Sequence, residues 1–281
     1  MFPDRTASGR ISARPPRVAA DRGTGSLGGM AATLTRPAHY ETSAVRIDKL
    51  VVGPFENNVF VLRDRSTGDA VLLDAANEHE LLLEVSRATG VRRVLTTHGH
   101  FDHIQAVTQM RDAGIDVGIA TQDAEMLPGY DFTIPDDEVI SVGDLRLRTI
   151  HTPGHTRGST CFLLEGHPVL FSGDTLFPGG VGNTTFEGGD FPTIIRSVDA
   201  RLFPLPVETL VLPGHGLDTT IGSERPAGGH RLDFPWVHGV SWGRTGFVSP
   251  HGYGRVHAGW PLRITFPNDL SERSGGARHE P

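Results

Sequence analysis

The sequence predicts a layered α/β domain over residues 45–226, with mixed rather than purely parallel sheets. Three observations predict it. Short apolar strands alternate with amphipathic helices through this region. Some neighbouring strands are joined by tight turns and others by helices, so antiparallel and parallel pairs must coexist. Four of the strands run into a Gly set beside a His or an Asp.

The elements follow in order. Val45–Val51 alternates apolar and polar residues and reads as a strand. Asn58–Leu62 and Ala70–Leu73 read as two more, joined by a turn through Asp64–Gly68. Glu78–Ala88 places Leu81, Leu82, Val85 and Ala88 at helical spacing and stops at Gly90. Val91–Thr96 is a strand, Ile104–Ala113 a helix ending at Gly114, and Val117–Ala120 a short strand. Val139–Val142 and Leu145–Ile150 form a hairpin turning at Gly143-Asp144, and Thr160–Leu164 and Val169–Phe171 are strands. Phe191–Leu202 sets Ile194, Ile195, Val198 and Leu202 on one helical face, and Thr209–Leu212 is the last strand.

The flanks differ in kind. Residues 45–226 hold 14 basic and 26 acidic side chains, a net of −12, whereas residues 1–44 carry +3 and residues 227–281 carry +2. Residues 1–44 are rich in Arg, Gly, Ser and Pro without apolar periodicity, the composition of a disordered extension. Residues 227–281 hold ten Gly, five Pro, five His and all three Trp, and read as a poorly ordered tail. Cys161 is the only Cys, which excludes a disulfide framework and a Cys-based zinc cluster. No run of about 18 apolar residues occurs and no apolar leader segment opens the chain, so the expectation is a cytoplasmic protein without a membrane partner. A middle region at −12 repels polyanions, so nucleic acid is not an expected partner.

The histidines fall where strands end. Val94–Leu95 leads into Thr97-His98-Gly99-His100-Phe101-Asp102-His103, four possible metal ligands within six residues. His98 and His100 alternate on an extended loop and face one side, while Asp102 and His103 enter the next helix and face a second point nearby. One ion accepts about four ligands, so the cluster suits two. Leu147–Ile150 leads to Thr152-Pro153-Gly154-His155, Val169–Phe171 to Ser172-Gly173-Asp174, and Thr209–Leu212 to Pro213-Gly214-His215. Loops at one edge of a rigid sheet can converge on one site. Imidazole and carboxylate without thiolate suit zinc, Fe(II) or Mn(II).

These segments, THGHFDH, TPGHT, SGDTLF and PGHG, together with Asp74 in VLLDA, resemble in order and spacing the signature of the metallo-β-lactamase fold. The resemblance covers residues 45–226 and implies an αββα four-layer sandwich with its metal site at one edge of the two sheets. It implies that His98, His100 and His155 hold one divalent ion, that Asp102, His103 and His215 hold a second, and that Asp174 bridges them. Two zinc ions are the first expectation, with iron or manganese as alternatives. Asp74 would hold a ligand imidazole or the ligand loop in place.

The stretch GDTLFPGGVGNT and the continuation PGHGLDTTIGSER are similar to the glyoxalase II group, the hydroxyacylglutathione hydrolases, in its short single-domain bacterial form. That similarity implies hydrolysis of a small thioester by a hydroxide held between the ions, with Asp102 and Asp174 orienting it as the catalytic carboxylates. Asn183 stands where many members place Arg or Lys, which leaves the thiol carrier open. Asn183 and Arg157 are the candidate substrate contacts. The alternative is a persulfide dioxygenase, in which one Fe(II) would sit on His98, His155 and Asp174. Lactam, ester or phosphodiester hydrolysis, or a non-catalytic metal-binding domain, rank below these.

Overall fold

In the computed structural model, residues 38–225 are described. Most of the expected N-terminal extension and all of the expected C-terminal tail lie outside the described residues.

Two mixed sheets carry the chain. The first contains β1 (Tyr40–Glu41), β2 (Val45–Val52), β3 (Asn57–Asp64), β4 (Ala70–Leu73), β5 (Val91–Leu95), β6 (Asp116–Ile119) and β7 (Phe132–Thr133), side by side in chain order. Its first three junctions are antiparallel and its last three parallel. The helices α1 (His79–Thr89), α2 (Phe101–Ile104) and α3 (Val107–Asp112) belong to the crossovers between the parallel strands. The second sheet begins with β8 (Val139–Val142), β9 (Leu145–His151), β10 (Thr160–Leu164) and β11 (Val169–Gly173). A two-stranded ribbon of β12 (Leu176–Phe177) and β13 (Gly180–Val181) and the helix α4 (Phe191–Ser197) follow. Then β14 (Leu210–Pro213) pairs parallel to β11, β15 (Thr219–Thr220) closes the edge, and α5 (Ile221–Glu224) ends the described chain.

Strand alternation creates the layers. On β3, Val59 and Val61 face outward into a core shared with Leu82, Val85, Val107 and Met110 of the helices. Phe60 and Leu62 face the other way and join Ile47, Leu147, Phe162 and Phe171 between the two sheets. Beyond the second sheet, Cys161, Leu170 and Val211 pack on Ile194, Val198 and Leu202. Three apolar layers between four strata of secondary structure make the αββα sandwich that the resemblance implied. Burial pushes the Cys161 thiol up to about 11, so it behaves as a small core side chain.

Four local departures have physical reasons. The single helix expected over Ile104–Ala113 is broken between α2 and α3, because the N–H groups of Gln105 and Ala106 are diverted to the carbonyls of Ala76 and Ala75 (3.1 and 2.9 Å). That break fastens the segment after His103 to the loop behind β4. The helix expected over Phe191–Leu202 is α-helical to Ser197 and widens into a π-helical turn over Val198–Leu202. The sheet also begins before residue 45: Tyr40 and Glu41, expected in the extension, pair with Ile47 and Arg46. Short pieces such as β7, β12, β13 and β15 are too brief to show a period in sequence.

One edge joins the sheets. The Asn58 N–H donates to the Gly214 carbonyl (2.7 Å), and the Thr160 N–H donates to the Thr97 carbonyl (2.9 Å). The loops that follow β4, β5, β9, β11 and β14 meet there.

Candidate metal centre

Asp74 lies just past β4 in the left-handed region at φ 63°, a conformation that Asp tolerates better than most residues. Its Oδ1 accepts the Thr97 N–H at 2.7 Å, and its Oδ2 accepts the Thr97 hydroxyl and the His103 Nδ1–H at 2.9 Å each. One buried carboxylate thus fixes both the start of the THGHFDH loop and the ring of His103.

The loops bring two sets of donors together. His98 Nε2 and His100 Nδ1 lie 3.2 and 2.9 Å from His155 Nε2. His103 Nε2 lies 3.2 Å from His215 Nε2, which is in turn 3.2 Å from Asp102 Oδ2. Asp174 stands between the sets: its carboxylate oxygens are 3.6 Å from the Nε2 atoms of His155, His103 and His215. All seven side chains singled out from sequence therefore converge on one small volume.

The hydrogen bonds fix the tautomers. His155 Nδ1–H donates to the Asn183 carbonyl (2.6 Å) and His215 Nδ1–H to the Phe55 carbonyl (2.9 Å). The Thr97 hydroxyl gives its proton to Asp74, so it accepts from His98 Nδ1–H (3.0 Å). His103 Nδ1–H is held by Asp74. Each of these four rings, in its neutral form, turns a bare Nε2 lone pair inward. Lone pairs about 3 Å apart repel unless a cation lies between them. Asp174 Oδ1 is buried without a hydrogen-bond partner, although burial normally demands one. At Gly214 a Cβ would fall 2.3 Å from that same oxygen, so Gly alone leaves the cradle open. Orphaned acceptors, converging lone pairs and a thiolate-free N/O donor set fit divalent cations.

The electrostatics agree. Burial holds His100 down to about 4, aided by His155, and holds His98 well below the usual imidazole value, aided by His103 and His155. Burial opposes ionisation of Asp174, but the imidazoles of His103 and His215 outweigh it and keep the carboxyl well below its ordinary range. Asp102 behaves alike: burial raises it, while the His215 hydrogen bond, His103 and the Asn57 amide bring it down to about 2. For His103, burial is outweighed by Asp174 and Asp74, which push it well above its ordinary value. A cation bound at His103 Nε2 would take the place of the added proton.

Other candidates are placed differently. The Asn183 side chain accepts the Thr185 N–H (2.9 Å), while its backbone oxygen orients His155. Arg157 lines a cleft of about 310 Å³ with Gly154, Gly188, Asp190 and Thr193. His151 donates from Nε2 to the Arg157 carbonyl and joins neither set. Sequence reasoning passed over three residues. Asn57 Nδ2 donates to Asp102 Oδ2 (3.0 Å). Asn58 Nδ2 donates to the carbonyls of Pro213 and Gly216 (2.9 and 3.0 Å), pinning the His215 loop. Asp123 is buried beneath the three-histidine set. The Asn57-Asn58 pair lies at the start of a strand, where uncharged amides of low β propensity are a usable signal.

The Metallo-beta-lactamase superfamily profile matches residues 52–215, more than half of the chain and all seven donors. The chain belongs to that superfamily. Within it, the hydroxyacylglutathione hydrolase GloC of Haemophilus influenzae is 30% identical over 203 residues, covering 64% of this chain and 95% of GloC. Among solved structures, the BLEG-1 B3 metallo-beta-lactamase superposes with a TM-score of 0.59 at 30% identity, covering 63% of this chain and 95% of BLEG-1. ETHE1 from Myxococcus xanthus follows with a TM-score of 0.58 at 29% identity, covering 69% of this chain and 85% of ETHE1. The metallo-β-lactamase fold binds divalent metals, and this chain carries a His/Asp cluster where the loops of its two sheets meet. No described helix is long and apolar enough to cross a membrane.

Proposed function

We propose that this chain hydrolyses a small thioester, using two divalent ions, zinc first, held by His98, His100 and His155 on one side and by Asp102, His103 and His215 on the other, with Asp174 between. The observation that carries the reading is the completeness of the second set. Asp102, His103 and His215 face one point and are individually braced by Asn57, Asp74 and the Phe55 carbonyl. A one-ion site on His98, His155 and Asp174 would leave that bracing without purpose. Similarity to GloC supports the thioester.

When bound, such a pair of ions supplies an acidified water as nucleophile and polarises a carbonyl oxygen. The chain's own part is positioning. Asp102 and Asp174, kept ionised, are acceptors able to orient the attacking water and take its proton. Water adds its oxygen to the acyl carbon, the C–S bond breaks, and the carboxylic acid and the free thiol leave. No Ser or Cys nucleophile is required, and buried Cys161 is not available as one.

A screen across S-D-lactoylglutathione, simple acyl thioesters, a lactam, a phosphodiester and glutathione persulfide, with thiol release and O₂ uptake followed in parallel, tests the reading. Thiol release without O₂ uptake, lost in His215→Ala, is expected. Persulfide-dependent O₂ consumption that survives His215→Ala would replace it with the dioxygenase reading, and turnover confined to the lactam would also overturn it.

A further inference from the structure

We propose that Asp123 is the positioning residue of the three-histidine set: its buried carboxylate locks the loop of His98 and His100 onto the loop of His155, and its charge draws the cation into that set. Asp123 lies on the turn Thr121–Met126 after β6 and is 1% exposed. Its Oδ2 accepts the Gly99 N–H at 3.0 Å and the Thr156 hydroxyl at 2.6 Å, and its Oδ1 accepts the Gly158 N–H at 2.7 Å. Gly99 is the residue between His98 and His100, and Thr156 follows His155. One side chain therefore grips the immediate neighbours of all three histidines, on loops that spring from different sheets.

The surroundings are built for this grip. A Cβ at residue 158 would lie 2.5 Å from Asp123 Cγ, so the close approach of that loop needs Gly158. The Ser159 hydroxyl lies 2.8 Å from the Thr156 hydroxyl, which spends its own proton on Asp123 and so accepts from Ser159. The Asp123 donors are two backbone amides and one hydroxyl, all neutral, and no cationic side chain lies within ion-pair distance among the described residues. A buried carboxylate without a counter-charge is left poorly compensated for the water it has lost. The three-histidine set, whose loops Asp123 grips through Gly99 and Thr156, is a place where a bound cation would supply the compensating charge. Asp74 holds His103 of the other set directly and reaches the three-histidine set only at His98, through Thr97, so Asp123 is the carboxylate that ties the two loops of that set together.

The inference rests on the metal centre and not on the choice of substrate. Co(II) titrations followed by absorbance test it in two backgrounds. His215→Ala leaves the three-histidine set as the stronger site, and His155→Ala leaves Asp102, His103 and His215. In the first background Asp123→Asn, nearly isosteric but one acceptor short, is expected to raise the Co(II) Kd about 10- to 100-fold. In the second it is expected to change the Kd by no more than about twofold. Asp64→Asn removes a buried carboxylate that serves only the turn at Ser66 and Thr67 and the neighbouring Asp144, and is expected to leave both Kd values unchanged. Thr156→Val keeps the charge and removes one hydrogen bond, with an expected rise in Kd of up to about tenfold in the first background. Equal weakening in both backgrounds, or an unchanged Kd for Thr156→Val and Asp123→Asn in the first, overturns the proposal. Should Asp123→Asn fail to fold, Thr156→Val decides alone.

Discussion

The two donor sets sit side by side and differ in how evenly they are fastened. His98 and His155 are almost completely buried, and their loops hang on the buried carboxylate of Asp123. In the other set, the His215 side chain is 25% exposed and that of Asp102 15%. The loop of His215 is held by the Asn58 amide and by the Lys49 ammonium, which donates to the Gly216 carbonyl (2.9 Å) and pairs with Asp218 (3.2 Å). Neutral donors around a buried anion make a stiff, pre-formed set. The other set has a buried carboxylate, Asp74, at His103 alone, while amides and a partly exposed ion pair hold Asp102 and the His215 loop, which makes it looser. The difference predicts that the three-histidine set binds its ion more tightly and that the rim set is the one that exchanges.

Removing the shared carboxylate breaks the comparison altogether. Asp174→Ala deprives both sets at once, and thioester kcat/KM is expected to fall by more than about 100-fold, beyond the cost of losing an outer partner. A residual activity within tenfold of wild type would contradict the assignment of Asp174. Asn57→Ala sharpens the comparison by acting on one side only. Loss of the amide that holds Asp102 Oδ2 is expected to weaken the rim set about tenfold. Retention of the second ion against a chelator, measured with the first ion still bound, checks it. The smallest effect belongs to Lys49→Ala. A partly exposed ion pair contributes about 1 kcal/mol or less, so the second ion's Kd should rise by no more than about fivefold. The change should shrink as salt is added.

The candidate donors were legible in the sequence because five of the seven (His98, His100, His155, Asp174 and His215) stand past strand ends beside a Gly, and Asp102 and His103 follow in the same THGHFDH run. The strands of the two inner faces were legible for a similar reason: Ile47, Phe60 and Leu62 alternate cleanly with their neighbours. What holds the donors in place was not legible. Asp123 carries no motif; it acts through Gly99, Thr156 and Gly158, which reach it only after β6 and the β9–β10 loop have come together in space. Asn57 and Asn58 act across sheets, on Asp102 and on the His215 loop. The break between α2 and α3 escaped prediction because its cause, the carbonyls of Ala75 and Ala76, lies some thirty residues upstream. Periodicity reports which face a residue presents, and not which distant backbone will claim its N–H.

Elemental analysis of metal per chain, on the purified protein and on His215→Ala in parallel, tests the central claim most directly. The account predicts two divalent ions per chain in the wild type and one in the variant, the survivor being the ion of the three-histidine set. One ion per chain in both proteins would contradict it.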